Sequence, residues 1–255
     1  MNYDIFITLH NKDFIKLPYL IASIYNNLEN FNDIYVVSPG GEKILQDKSI
    51  TYLKDKDVLN IDQSRLKHRP NWMTQMFLKM FQNVTQDWYF TIDSDCIVNR
   101  PFPLFTNSGK PILYRPDANV QQNHAPYFNF QEKVLGLPRK YDSTFITDTN
   151  LISKKLIRKM LSDRWFTVES FLEDSYNVID HSCYPGEPEI WGQYVLAEHF
   201  NSFEVRTMKT AYNARVQSNP GEHIWSKQEY EDEIKRMKTE DLDVFAIHSW
   251  WDWNV

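Results

Sequence analysis

Trp88-Tyr-Phe-Thr-Ile-Asp-Ser-Asp-Cys-Ile-Val-Asn-Arg-Pro-Phe102 decides how this chain is read. Its first five residues are aromatic or β-branched and predict a strand, and two carboxylates, Asp93 and Asp95, follow where that strand leaves the sheet. Two further Asp-x-Asp triplets, Asp55-Lys-Asp57 and Asp241-Leu-Asp243, show that the pattern alone arises readily in an acidic chain. Context separates Asp93-Ser-Asp95 from them, because it terminates a hydrophobic strand. There two carboxylates can converge on a hard cation, Mg²⁺ or Mn²⁺, which prefers oxygen ligands and bridges to diphosphate oxygens. An Asx turn, hydrogen-bonded to its own backbone, is the other reading of the same residues.

Upstream, residues 3–9 (Tyr-Asp-Ile-Phe-Ile-Thr-Leu) predict a first strand buried on both faces. Pro18 suits a first helical turn, and Leu17, Ile21, Ile24 and Leu28 recur at helical spacing, so one apolar stripe faces a sheet. Residues 33–38 (Asp-Ile-Tyr-Val-Val-Ser) predict a second strand, stopped by Pro39-Gly40-Gly41. Strand, helix and strand in succession make a βαβ unit, hence a parallel sheet. A short strand at 50–53 and a helix opened by Arg69-Pro70-Asn71 lead into the strand at 88–92. Met73, Met76, Phe77 and Met80 mark the buried stripe of that helix, with Gln75 and Lys79 on its other face. The alternation predicts an α/β layered fold that binds ligands at the carboxyl ends of its strands.

Beyond Pro101-Phe-Pro103 the order weakens to a strand at 111–114, a polar loop to about Ala125 and a strand at 143–147. Helices follow at about 153–161, 187–200 and 227–238, the last charged nearly all round, as a solvated face would be. A second apolar run at 244–247 ends in His248.

The 255 residues suffice to bury a core without metals or disulfides, and no linker or repeat divides them, so the chain reads as one domain. No stretch approaches eighteen consecutive apolar residues, and the N-terminus enters a strand pattern at once, so neither a membrane-spanning helix nor a signal peptide is expected. Cys96 and Cys183 give no disulfide framework and no zinc pattern, which fits buried thiols in a reducing, cytoplasmic setting. A net charge of −6 argues against nucleic acid as a partner. The seven glycines satisfy neither GxGxxG nor GxxxxGK[ST], so any nucleotide is held without a Gly-rich phosphate cradle. Aromatic residues, at 15%, offer flat rings for bases or sugars, although most belong in a core.

Pro185-Gly-Glu-Pro-Glu-Ile-Trp-Gly-Gln193 is the second informative segment. Pro188 suits the first position of a helix, which places Glu187 at the N-cap and Glu189 in the first turn, beside free amides. Capping and general-base catalysis are both open to these acids: the dipole lowers a carboxylate's pKa, whereas burial beneath a bound sugar raises it. His248, at a strand end, reads as a further metal ligand or as an ordinary histidine. Arg69 and Lys79 read as diphosphate contacts or as snorkelling side chains, and Trp250, Trp251 and Trp253 as packing for the C-terminus or a sugar platform.

These segments together resemble the GT-A glycosyltransferases. The resemblance is carried by Phe6-Ile-Thr-Leu-His-Asn-Lys-Asp13, Asn71-Trp-Met-Thr-Gln-Met-Phe-Leu-Lys79, residues 89–102, Ser143-Thr-Phe-Ile-Thr147 and Gly186-Glu-Pro-Glu-Ile-Trp-Gly192. It is nearest to small bacterial and viral GT-A-like proteins. The resemblance implies an α/β, Rossmann-like GT-A fold, a three-layer sandwich with a mixed, mostly parallel central sheet. Its nucleotide-binding half would span about 1–105 and its acceptor-binding half about 106–255. It further implies metal-dependent transfer, with Mn²⁺ or Mg²⁺, from a nucleoside-diphosphate sugar, a UDP-sugar foremost, to a glycan or other hydroxyl acceptor. By that analogy Asp95 ligates the metal, Asp93 holds the metal or the donor ribose, and His248 is a late metal ligand. Thr8, His10, Arg69, Lys79 and Ser94 join Asp93 in donor binding. The base of an inverting, direct displacement falls at Glu187, but family members often carry Glu-Asp there, and Glu-Pro-Glu leaves Glu189 open as well. Two other functions compete. A magnesium-dependent phosphohydrolase would use Asp93 as nucleophile, but a downstream paired-Asp site is not evident. A non-catalytic carbohydrate-binding module would account for the tryptophans but has no need of an acidic pair at a strand end.

Overall fold

The apolar run at the start of the chain forms β1 (Tyr3–Thr8), every residue of which is buried. The structure is a computed structural model and describes residues 1–116, 124–142, 144–213 and 226–248. After β1 come α1 (Leu17–Asn27), β2 (Phe31–Ser38), β3 (Ile50–Lys54), the single turn α2 (Asp55–Val58), α3 (Pro70–Phe81), β4 (Trp88–Asp93) and β5 (Cys96–Val98). The remainder contributes β6 (Ile112–Pro116), α4 (Ala125–Leu135), β7 (Thr149–Ser153), α5 (Lys154–Ser162), α6 (Val168–Val178), α7 (Glu187–Glu198), β8 (Glu204–Met208), β9 (Thr210–Asn213), α8 (Lys227–Met237) and β10 (Val244–Ile247).

The main sheet has five strands in the order β3-β2-β1-β4-β7. Its first four are parallel and β7 runs antiparallel to β4, so the sheet is mixed and mostly parallel. Parallel neighbours need crossovers, and the helices that make them cover both faces. Leu17, Leu20, Ile21 and Ile24 of α1 pack with Ile5, Ile7, Ile34 and Val36 on one face. Met73, Phe77 and Met80 of α3 pack with Phe6, Val37, Tyr89 and Ile152 on the other, which makes three layers. Register places Thr8 directly beside Asp93, so β1 and β4 end together. Antiparallel pairing of β5 with β10 brings the C-terminal apolar run back to the same edge.

Several elements differ from the sequence reading. Residues 144–147 form no strand, and Ser143 lies outside the described residues. The Phe145 amide instead donates to the Glu189 carboxylate and Asp148 takes a left-handed φ of 56°, so regular pairing begins only at Thr149. The highly charged α8 is not solvated all round: Tyr230, Ile234 and Met237 form a narrow stripe against Ile97, Phe245 and Ile247. α4 follows the polar loop in a stretch for which the sequence reading names no element, entered through Pro126 and stopped by Gly136 at φ 58°. α6 starts from a Thr167/Ser170 capping box. Cys96 and Cys183 are buried free thiols. No described helix is long and apolar enough to cross a membrane. Gly221, Trp250, Trp251 and Trp253 lie outside the described residues.

Gly192 sets how closely α7 approaches the segment before β7, because a Cβ there would fall inside the ring of buried Phe145. Gly192→Ala should therefore lower stability by about 1–3 kcal/mol even though alanine favours helix by about 1 kcal/mol. Urea unfolding checks this, and an unchanged or higher midpoint would contradict it.

Candidate functional site

The site is built where β1 and β4 stop. Thr8 is buried at the end of β1, and its Oγ1 has no hydrogen-bond partner among the described residues. Two residues on, the Nδ1 of half-buried His10 is likewise unpartnered among them. Asp93 closes β4, and the turn through Ser94 and Asp95 buries both of those side chains. Ser94 Oγ donates to Asp13 Oδ2 at 3.5 Å. Asp95 meets His248 at 2.8 Å between Oδ2 and Nδ1. The histidine is delivered there by β10, whose Ile247 amide donates to the Asp95 carbonyl at 2.9 Å. Fully buried Lys16 secures the arrangement, standing 2.8 Å from Asp13 Oδ1 and donating to the Ile247 carbonyl at 2.8 Å.

The electrostatics follow from this packing. Burial alone would raise the Asp95 carboxyl, but the His248 charge and hydrogen bond, with Lys16 and Lys12, hold it well below the usual carboxylate range. Burial would lower His248, yet Asp95 foremost and then Asp148 and Asp93 push it up to about 9. Asp148, which sequence spacing did not single out, carries a carboxyl pushed up to about 7, first by burial and then by the Asp93 charge.

Lys79 takes a place that one helix face could not reveal. Its side chain is only 2% exposed and its ammonium pairs with Asp93 and, at 3.2 Å, with Glu187. Burial would lower its pKa, but the two carboxylates outweigh that and keep it charged. It is therefore already committed to two carboxylates rather than turned toward solvent, because α3 is covered by the sheet on one side and by α7 on another. Gly186, not Glu187, is the N-cap of α7; Glu187 is its first residue and Pro188 its second. Glu187 points into the protein and is buried, which pushes its carboxyl up to about 7 against the opposing pull of Lys79. Its Oε2 has no hydrogen-bond partner among the described residues. Glu189, also buried, accepts through Oε1 from Thr144 Oγ1 and from the Phe145 amide at 3.0 Å. Burial pushes it up to about 6 despite those bonds. Arg69 is half-buried in a left-handed conformation at φ 42°, its guanidinium 4.6 Å from the centre of the Trp72 ring.

Among the described residues no three His, Cys, Asp or Glu side chains converge as a metal-binding group. Asp95 offers the carboxylate oxygen that Mn²⁺ or Mg²⁺ prefers, and His248 would add an imidazole nitrogen on giving up the proton that Asp95 now holds there. Such ions commonly take one or two protein ligands and complete their shell with water and substrate phosphates. The residues thus admit a cation that takes the rest of its shell from elsewhere.

The chain belongs to a family of unknown function, DUF6492, whose model matches residues 13–249. No curated protein matches it in sequence. Mouse xyloside xylosyltransferase 1 is similar in structure, with a TM-score of 0.51 over 96% of this chain and 97% of its own at 9% identity. The galactosyltransferase LgtC, solved with donor and acceptor sugar analogs, gives a TM-score of 0.49 over 96% of this chain and 86% of its own at 14% identity. The fold is that of the GT-A glycosyltransferases, with its mixed, mostly parallel central sheet.

Removing one member of a buried charge cluster leaves the others uncompensated. Lys79→Met should cost about 3–5 kcal/mol at pH 7, and adding Glu187→Gln should restore part of it. Native Glu187 titrates near 7 against an ordinary value of 4.5, so between those values the folded state binds a proton the unfolded chain does not. Without Lys79 that carboxyl rises further, so the deficit of Lys79→Met should shrink from pH 7 to pH 5. Chemical denaturation at the two pH values checks the sign, and a deficit that grows on acidification would contradict the pairing of buried Lys79 with buried Glu187 and half-buried Asp93.

Proposed function

We propose that this member of DUF6492 is a glycosyltransferase that moves a sugar from a nucleoside-diphosphate sugar, a UDP-sugar foremost, to a hydroxyl of a glycan or similar acceptor. One observation carries the reading. In a GT-A fold, the turn after β4 and the end of β10 bring Asp95 and His248 together, and Asp93 of that turn is joined through Lys79 to a buried carboxylate, Glu187, whose pKa lies near neutrality. The donor would occupy the half built from about 1–105 and the acceptor the half from about 106–255.

Asp95 and His248 would hold Mn²⁺ or Mg²⁺, which when bound would offset the charge on the departing diphosphate. Thr8 Oγ1 and His10 Nδ1, without a hydrogen-bond partner among the described residues, would meet polar atoms of the donor. The acceptor oxygen attacks the anomeric carbon as its bond to the diphosphate oxygen breaks, and the acceptor proton passes to Glu187. A base acts best with a pKa near the working pH, and about 7 suits that task. Lys79 on Oε1 fixes the carboxylate and leaves Oε2 to take the proton. Glu189 is the second candidate: Thr144 and the Phe145 amide hold its Oε1, and its Oε2, like that of Glu187, has no hydrogen-bond partner among the described residues, so the preference for Glu187 rests on its pKa near 7 against about 6. A single displacement of this kind inverts the anomeric centre. The phosphohydrolase reading is disfavoured, because its nucleophile would be Asp93, whose carboxylate is paired with Lys79. A binding module gains nothing from buried acids at strand ends, since burying charge costs energy. Two free buried thiols accord with a reducing, cytoplasmic setting.

Calorimetry with UDP and Mn²⁺ tests the donor site, where Asp95→Asn should weaken metal-dependent binding at least tenfold while the fold persists. Unchanged affinity would remove Asp95 from the site. Glu187→Gln should leave UDP affinity nearly unchanged while kcat falls roughly a hundredfold or more, with Glu189→Gln milder. NMR of the product's anomeric centre should show inversion; retention, or a larger defect in Glu189→Gln, would remove Glu187 as base.

A further inference from the structure

Half-buried aromatic rings gather beside the buried acids. Trp72 in the first turn of α3, Tyr127 in α4 and Tyr184 before α7 touch one another, with centroids 5.9 Å apart for Trp72–Tyr127, 5.7 Å for Trp72–Tyr184 and 5.2 Å for Tyr127–Tyr184. His68 stacks on Tyr184 at 4.7 Å with planes 25° apart. None of these rings belongs to the fully buried core, and Arg69 spends a left-handed backbone conformation in laying its guanidinium over Trp72. The cluster also adjoins the acids. A Cβ on Gly186, the residue before Glu187, would lie 2.8 Å from the Tyr127 ring, and His124, 5.3 Å from Tyr127, stands 3.9 Å from Glu189.

We propose that Trp72, Tyr127, Tyr184 and His68 form a stacking platform for a sugar ring of the acceptor, seated beside Glu187 and Glu189. This deepens the glycosyltransferase reading and rests on it. A pyranose has an apolar face of C–H groups and a rim of hydroxyls, and an aromatic surface bordered by charged groups matches both. A nucleobase is the other flat ligand such rings could take, since His68 and Trp72 lie in the 1–105 half; Tyr127 and Tyr184 come from the other half, and Tyr127 lies against Gly186 beside Glu187, which favours the sugar. The strand ends read as the donor site belong to β1 and β4. The glycine at 186 lets Tyr127 lie against the start of α7, which keeps the platform close to the proton acceptor.

Saturation-transfer NMR with the methyl β-glycosides of galactose, glucose, xylose and N-acetylglucosamine, run beside calorimetry of UDP with Mn²⁺, tests the proposal. At least one glycoside should take up saturation from the native chain. Trp72→Ala and Tyr184→Ala should cut that signal fivefold or more and Trp72→Phe should retain most of it, all three binding UDP within twofold of native. No saturation of any glycoside, or an unchanged signal in Trp72→Ala, would overturn the platform while native UDP binding left the donor reading standing. A parallel loss of UDP affinity in Trp72→Ala would assign the rings to the base and overturn it equally. A ring-dependent glycoside signal without Mn²⁺-dependent UDP binding would support the platform and overturn the donor reading.

Discussion

A single buried ammonium, that of Lys79, holds the candidate site together. It bridges Asp93 at the end of β4 and Glu187 at the start of α7, two elements almost a hundred residues apart in the chain. Charges this deep are tolerated only when paired, and one lysine against two carboxylates leaves the cluster short of neutral. Burial then raises the pKa of Glu187, so a proton-accepting group near neutrality results from the same packing that fixes the helix. The pairing that fixes the helix and the raised carboxyl are one arrangement here.

The second constraint lies on the opposite side of the Asp-Ser-Asp turn. Lys16 binds Asp13 and the Ile247 carbonyl, which sets the end of β10 and delivers His248 to Asp95. Asp93 and Asp95 therefore have different neighbours although one residue separates them: a lysine and a glutamate for the first, an imidazole for the second. Of the two, Asp93 keeps the more exposed side chain, 28% against 11% for Asp95.

The legible part of this architecture was the part with uninterrupted apolar runs. β1, β2 and β4 are parallel and covered by helices on both faces, so 3–9, 33–38 and 88–92 read as continuous hydrophobic strands. The edge strand β7 was misplaced upstream because the β-branched Thr144 to Thr147 stretch looks extended while its Phe145 amide and its Thr144 hydroxyl bond a glutamate from α7. Spacing placed Lys79 opposite the methionine stripe of α3 correctly, yet could not show that α7 covers that opposite face. Asp148 sits alone between two threonines, and only the antiparallel pairing of β7 with β4 brings it beside Asp93. The Thr167/Ser170 box before α6 was a local signal in plain view; the aromatic platform, assembled from residues 68 to 184, had no local signal at all.

A nucleoside diphosphate and a divalent cation bound together at the ends of β1 and β4 would stabilise the fold against heat. At a concentration one hundred times its dissociation constant, a ligand specific for the native state adds about 2.7 kcal/mol, a shift of roughly 5–10 °C for a domain of this size. Tm should rise by that much with a UDP-sugar and Mn²⁺ together, and not with either alone. A panel of nucleoside-diphosphate sugars that leaves Tm unmoved in the presence of Mn²⁺, or moves it equally in its absence, would contradict this joint binding.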